Sequence, residues 1–164
     1  MSPVAEVGFR KGVRLGVDWG YARVGVAACD ADGLLCYPLE TVRANDQAAA
    51  LARVAALADQ MDPLEIVFGL PLALNGKSAL AANNAQGVAK QLAARVKVPV
   101  RLVDERLTTA EVNHHLSHLD TRKRRKIVDQ AAAAGILEGS LTYERHTGSA
   151  PGQLVESPWT EGNA

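Results

Sequence analysis

The hydrophobic period changes near residue 45, and that change limits the fold more than any other feature of the chain. Before it, apolar residues alternate through Val13-Arg14-Leu15-Gly16-Val17-Asp18, through Arg23 to Cys29 and through Leu34 to Val42, with short Gly- and Asp-containing connections between them. Alternation sends every second side chain to one face of a sheet, and the short connections predict a three-strand antiparallel meander. From Asn45 to Met61 the period is helical, carried by Leu51, Val54, Ala55 and Leu57, with Asn45 or Asp46 placed to cap the first turn. A short apolar run, Leu64 to Phe68, reads as a strand closed by Gly69 and Pro71. A helix over 78–95, begun by Ser78 as its cap, then leads to a fifth strand from Val98 to Asp104. Thr108-Thr109-Ala110-Glu111 has capping-box spacing and predicts a short helix to Leu119. A last helix is expected from near Lys126 to Glu144, with Ile127, Val128, Ala131, Ala134 and Leu137 toward the core. Right-handed crossovers set the fourth and fifth strands parallel to the first, so the expected fold is α/β, a five-stranded mixed sheet flanked by helices.

At 164 residues the chain is the size of one domain. Residues 1–11 lack a sustained period and read as a flexible lead-in, 12–144 as the domain, and 145–164, rich in Thr, Gly, Ser and Pro, as a disordered tail. Lys plus Arg (18) balances Asp plus Glu (18), so there is no bulk cationic field and any nucleic-acid footprint must be local. No run of 18 apolar residues and no leader pattern occurs, so the expectation is a cytoplasmic protein without a membrane partner. Cys29 and Cys36 lack zinc-ligand spacing and read as reduced thiols.

In open α/β sheets ligands collect at the carboxyl ends of the strands. This chain puts acids there twice, with Asp18 closing the first strand and Asp104-Glu105 closing the fifth. A third acid, Asp129, sits among small and apolar neighbours in Lys126-Ile127-Val128-Asp129-Gln130-Ala131, where a buried carboxylate is costly unless a cation offsets it. Oxygen ligands suit Mg²⁺ or Mn²⁺, and carboxylates converging on such ions suit phosphoryl transfer. The competing reading is structural: Asp18 as a turn residue, Asp129 at the positive end of a helix, and Asp104-Glu105 paired with Arg106.

Four segments shift that balance. Arg14-Leu15-Gly16-Val17-Asp18-Trp19-Gly20-Tyr21-Ala22-Arg23-Val24-Gly25-Val26-Ala27 resembles the opening motif of the YqgF/RuvX family of the RNase H-like superfamily. Ile66-Val67-Phe68-Gly69-Leu70-Pro71-Leu72 with Asn75-Gly76, Val103-Asp104-Glu105-Arg106-Leu107-Thr108-Thr109, and Ile127-Val128-Asp129-Gln130-Ala131-Ala132 resemble its remaining blocks, in family order. The resemblance implies an RNase H-like nuclease domain over 12–144 with strand order 3-2-1-4-5. It implies metal-dependent cleavage of structured nucleic acid, either at the 5′ end of pre-16S rRNA or at Holliday junctions, by a monomer or a homodimer. It also implies that Asp18, Glu105 and Asp129 are the catalytic and metal-holding acids. Glu105 is favoured because related junction resolvases use glutamate at that strand end, with Asp104 as its substitute, since strand alternation turns the two to opposite faces. Trp19 stands where the family resemblance leads us to expect a smaller residue or Phe.

Arg122-Lys123-Arg124-Arg125-Lys126 places consecutive cations just before the Asp129 helix, where they would hold phosphates flanking a scissile bond. Arg23, Lys77 and Arg106 fall near the same edge and are further phosphate-binding candidates. His114 and His118 have metal-ligand spacing, but His115 follows the first where a zincin needs Glu. Gly76-Lys77-Ser78 ends like a Walker A loop, but Pro71 stands where the motif requires Gly. An actin-like ATPase has a similar first hairpin but needs two such lobes. A binding module without catalysis is the remaining alternative.

Overall fold

The computed structural model describes residues 8–70, 76–105 and 121–157, and the side chains of 76–83 and 121–130 lie outside that description. Its strands are β1 (Arg14–Trp19), β2 (Arg23–Cys29), β3 (Cys36–Arg43), β4 (Glu65–Leu70), β5 (Val100–Asp104) and β6 (Gln153–Leu154). Its described helices are α1 (Gln47–Met61), α2 (Gly76–Arg95) and α3 (Thr121–Thr147). The sheet order is β3-β2-β1-β4-β5-β6, with β1–β4 and β4–β5 parallel and β1–β2, β2–β3 and β5–β6 antiparallel. This is the mixed RNase H-like sheet with one strand more than expected.

Each face of the sheet has its own cover. Leu15, Val17, Val24, Val26, Ile66 and Phe68 pack against Leu51, Val54 and Leu57 of α1 and Val88, Ala89 and Leu92 of α2. On the other face Val67 and Val103 meet Ile136, Leu137 and Leu141 of α3, and Ala27 meets Ala133 and Ala134. Successive side chains of β1 and β2 therefore go to two covers, both apolar, which is why β2 is buried almost throughout. Capping also follows the sequence: the Asp46 carboxylate accepts from the Ala49 amide at 3.1 Å, which serves one of the orphan N–H groups of α1.

Several boundaries differ from expectation; β1 runs one residue past Asp18 to Trp19, and β5 starts at Val100, not Val98. Leu34 and Leu35 lie outside β3 because the Asp30 carboxylate accepts from both their amides, at 2.7 and 3.1 Å, and closes a turn there; the same bonds hold that carboxyl below its ordinary range. β4 runs through Gly69 to Leu70, since pairing with Val103 and Asp104 on β5 outweighs the local breaker. α2 begins at Gly76, so Ser78 lies inside it and is not its cap. α3 begins at Thr121 and ends at Thr147, so the basic run is helix, not the loop before one; Lys and Arg are good helix formers even without an apolar period. The segment read as a disordered tail from residue 145 supplies the end of α3 and then β6, which pairs with Arg101 and Leu102 while Val155 enters the core. Two residues are too few to register as a strand pattern in sequence. The expected helix over 108–119 lies outside the described residues.

The lead-in is also tied down from Gly8 onward. Arg10 reaches two glutamates, Glu65 on β4 and Glu144 on α3, and Phe9 lies between the guanidinium groups of Arg14 and Arg145, at 5.0 and 4.2 Å. Cys29 and Cys36 are free thiols facing each other in the β2–β3 register, and burial raises both, Cys36 to about 12.

Candidate active site at the carboxyl ends of the parallel strands

The sheet register decides which acids share a face. On β1, Leu15 and Val17 pack toward α1 and α2, so Gly16 and Asp18 take the face that α3 covers. On β5, Leu102 lies opposite Phe68 and Asp104 opposite Leu70, on the α1/α2 side, whereas Val103 packs with Ile136 and Leu137 beneath α3. Asp104 is therefore on the face opposite Asp18. Glu105 follows β5 directly in a 3₁₀ turn, beyond the pleat that assigns faces. All three are half-buried, and Asp18 and Asp104 both have interaction partners within the protein.

α3 runs antiparallel to β1 along this face. A Cβ added to Gly16 would stand 2.7 Å from the Ala133 carbonyl oxygen and 3.1 Å from the Leu137 Cβ, so only glycine lets helix and strand approach so closely. Further along, Glu144 of α3 bonds Arg14 at the start of β1. Residue 129 is four helical steps from Ala133, about 6 Å of rise, and Asp18 is two strand steps from Gly16, about 6.6 Å. Position 129 therefore occupies the helical turn above Asp18, although its side chain lies outside the description.

An all-carboxylate donor set matches a hard divalent cation by its chemistry. Among the described residues, no group of three or more His, Cys, Asp or Glu side chains stands close enough to hold a metal. Position 129 on α3 is the further acidic position that the topology brings to this edge.

The phosphate-binding candidates fall at the same rim or outside the description. Arg23 opens β2 directly across the turn from β1 and has an interaction partner within the protein. Residues 122–126 form the opening turns of α3, which has no acid in its first turn. Lys77 is in the first turn of α2, and Arg106 lies outside the described residues.

What sequence reasoning missed lies at the opposite end of the strands. Glu65, Glu144 and Arg14 are buried, and their charges close on one another and on Arg10 and Arg101: Arg14 to Glu144 at 2.9 Å, Arg101 to Glu65 at 2.8 Å, Arg10 to Glu65 at 2.8 Å. Burial pushes the Glu144 carboxyl up, but its hydrogen bonds from Arg10 and the nearby Arg14 charge bring it to a net position below the usual range. The bond that Arg10 donates to Glu144 likewise raises Arg10 against the desolvation that opposes it. The only signal in the sequence is charge at the start of two apolar strands, which any exposed strand end would also show.

Comparison with known proteins agrees with the geometry. A family model described as "RuvX: Holliday junction resolvase" matches residues 12–143. A Streptomyces avermitilis protein named "Putative pre-16S rRNA nuclease" is 46% identical over 153 residues, covering 92% of this chain and 98% of the relative. Relatives of the same name from Nocardioides sp. and Thermobifida fusca are 47% and 45% identical, each covering 90% of this chain and 98% of their own length. Thermus thermophilus RuvC in complex with a Holliday junction substrate superposes with a TM-score of 0.60 over 85% of this chain and 98% of that one, at 18% identity, a likeness of fold. With a family match across nearly the whole described domain and relatives this similar along their full length, the chain belongs to the RuvX family of nucleases.

Proposed function

We propose that this protein is a divalent-metal-dependent endonuclease that trims the 5′ end of pre-16S rRNA. The observation that carries the reading is the place of Asp18 on the face of β1 that α3 covers, beneath the turn of α3 that holds position 129, with Glu105 just past the end of β5. Like charges gathered at a strand edge repel one another unless a cation offsets them. Asp18, Glu105 and Asp129 would hold Mg²⁺ or Mn²⁺ there, and Glu105 is preferred over Asp104 because Asp104 is on the opposite face of the sheet. When bound, such an ion supplies positive charge to the phosphoryl group and makes water more acidic.

The chain's own residues do the rest by position. Arg23 meets phosphate oxygens beside the acids. Residues 122–126 bind the flanking backbone, and their placement favours this: cations at a helix N-terminus face the positive end of the helix dipole, a conflict that a bound polyanion relieves. Lys77 and Arg106 extend the same footprint. Hydrolysis adds water across one P–O bond, so the products are a phosphate monoester and a hydroxyl end.

Ribosomal RNA is favoured over DNA junctions because the full-length relatives at 45–47% identity carry the rRNA name, whereas the RuvC likeness is one of fold. The test is to map the 5′ end of 16S rRNA in cells depleted of the protein. In parallel, purified wild type and Asp18→Asn are assayed with Mn²⁺ on pre-rRNA and on four-way junctions. Extended 5′ ends and Asp18-dependent RNA cleavage are expected. Normal ends with cleaved junctions would replace the rRNA reading by the resolvase one, and equal residual cleavage by both proteins would leave a binding module.

A further inference from the structure

Aromatic side chains are scarce in this protein: two Phe, two Trp and three Tyr in 164 residues. Most of those described have a packing role. Phe68 is fully buried, Trp19 lies against it with ring centroids 6.1 Å apart and planes 18° apart, and Phe9 sits between two guanidinium groups. Tyr21 does not: at 102% relative exposure its ring is as open to water as in an isolated peptide. Leu34 and Leu35 are also exposed, but they lie at the other end of the sheet, in the β2–β3 turn.

Tyr21 is in the turn between β1 and β2, three residues after Asp18, so at most about 10 Å of extended chain separates it from the proposed acids. The turn holding it is fixed from several sides. The Gly20 amide donates to the Arg23 carbonyl at 2.9 Å, and a Cβ on Gly20 would come within 2.6 Å of that oxygen, so the bend is too tight for another residue. The Ala44 amide donates to the Ala22 carbonyl at 2.9 Å, which ties the turn to the end of β3, and Trp19 anchors its start on Phe68. A rigid support thus presents a solvated aromatic plane beside a candidate phosphate-cleaving site. Stacking is the interaction that such a plane offers nucleic acid, and it tolerates any sequence because every base has a π-face.

We infer that Tyr21 stacks on an unpaired nucleobase next to the scissile phosphate, so that the substrate is single-stranded at that nucleotide. The inference rests on the nuclease reading above. Stacking needs the ring and not the hydroxyl, so phenylalanine substitutes and an aliphatic residue does not.

The test uses the full chain and a single-stranded RNA oligonucleotide carrying 2-aminopurine, titrated against wild type, Tyr21→Phe, Tyr21→Leu and Tyr21→Ala. Wild type and Tyr21→Phe are expected to quench the base, while the Leu and Ala variants bind about tenfold more weakly without quenching. Cleavage kcat/KM falls by a similar factor, mainly through KM, because stacking is present in ground and transition states alike. Thermal midpoints stay together, since the ring buries nothing. Tyr21→Ala with wild-type affinity and quenching, while wild type still cleaves, overturns this inference and leaves the nuclease reading standing. A loss shared equally by Tyr21→Phe overturns it in favour of a hydroxyl contact. A wild type that neither binds nor cleaves overturns both.

Discussion

The two ends of β1 carry charge in opposite ways. At its start, Arg14 joins Arg10, Arg101, Glu65 and Glu144 in a network of alternating sign, largely buried; among the described residues no buried side-chain nitrogen or oxygen lacks a hydrogen-bond partner. Near its end, half-buried Asp18 lies on the face beneath the turn of α3 bearing position 129, and half-buried Glu105 stands just past the end of β5. The first arrangement is complete within the chain and joins the lead-in, β1, β4, β5 and α3. The second gathers acids at strand ends, where Asp18 also has an interaction partner within the protein. Charge that closes on itself reads as assembly, and charge of one sign gathered at strand ends reads as a site.

The largest effect that would sharpen this contrast comes from Glu144→Gln. It leaves Arg10 and Arg14 without their shared carboxylate, and removing one partner of a buried ion pair costs about 3–5 kcal/mol. Urea denaturation should show that loss with cleavage per folded molecule retained; a loss under about 1 kcal/mol would break the comparison. The same carboxylate sets an acid limb. Its folded pKa lies below its unfolded one, so its stabilisation is complete above the ordinary glutamate range and is lost as pH falls through that range and below. Urea midpoints between about pH 7 and 3 should decline less steeply in Glu144→Gln than in wild type.

Asp18→Asn reverses the pattern. Its expected cost is activity, more than roughly a hundredfold in Mn²⁺-supported cleavage, with the thermal midpoint little changed. A variant that unfolds instead would make Asp18 a structural residue like Glu144. Gly16→Ala tests the joint between the two ends: its methyl must displace the Ala133 carbonyl of α3, at about 1–3 kcal/mol, and should lower both the denaturation midpoint and cleavage as the helix moves off β1. The smallest effect is expected from Arg124→Ala with Arg125→Ala, which should flatten the log–log salt dependence of RNA affinity by about 1.4 without changing stability. An unaltered slope would remove those residues from the footprint.

Much of this fold was legible because its signals are local. The limits of β2, the Asp46 cap and the order of strands and helices all depend on residues within a turn or a pleat of one another. The start of α3 was misplaced because a basic run has helix propensity but no apolar period, and β6 was missed because its pairing with β5, not its composition, makes it a strand. Arg10 and Glu144 are 134 residues apart, and no local pattern announces their bond.

The candidate site divides in the same way. The sequence by itself determined that acids end β1 and β5 and that Asp129 falls among small residues, since these are statements about neighbours along the chain. That Asp104 faces away from Asp18 was decided only when β5 took its register on β4, and position 129 came toward that edge only because Gly16 lets α3 lie close along β1. Strand alternation supplies two faces, but it takes a neighbouring strand and a covering helix to say which is which.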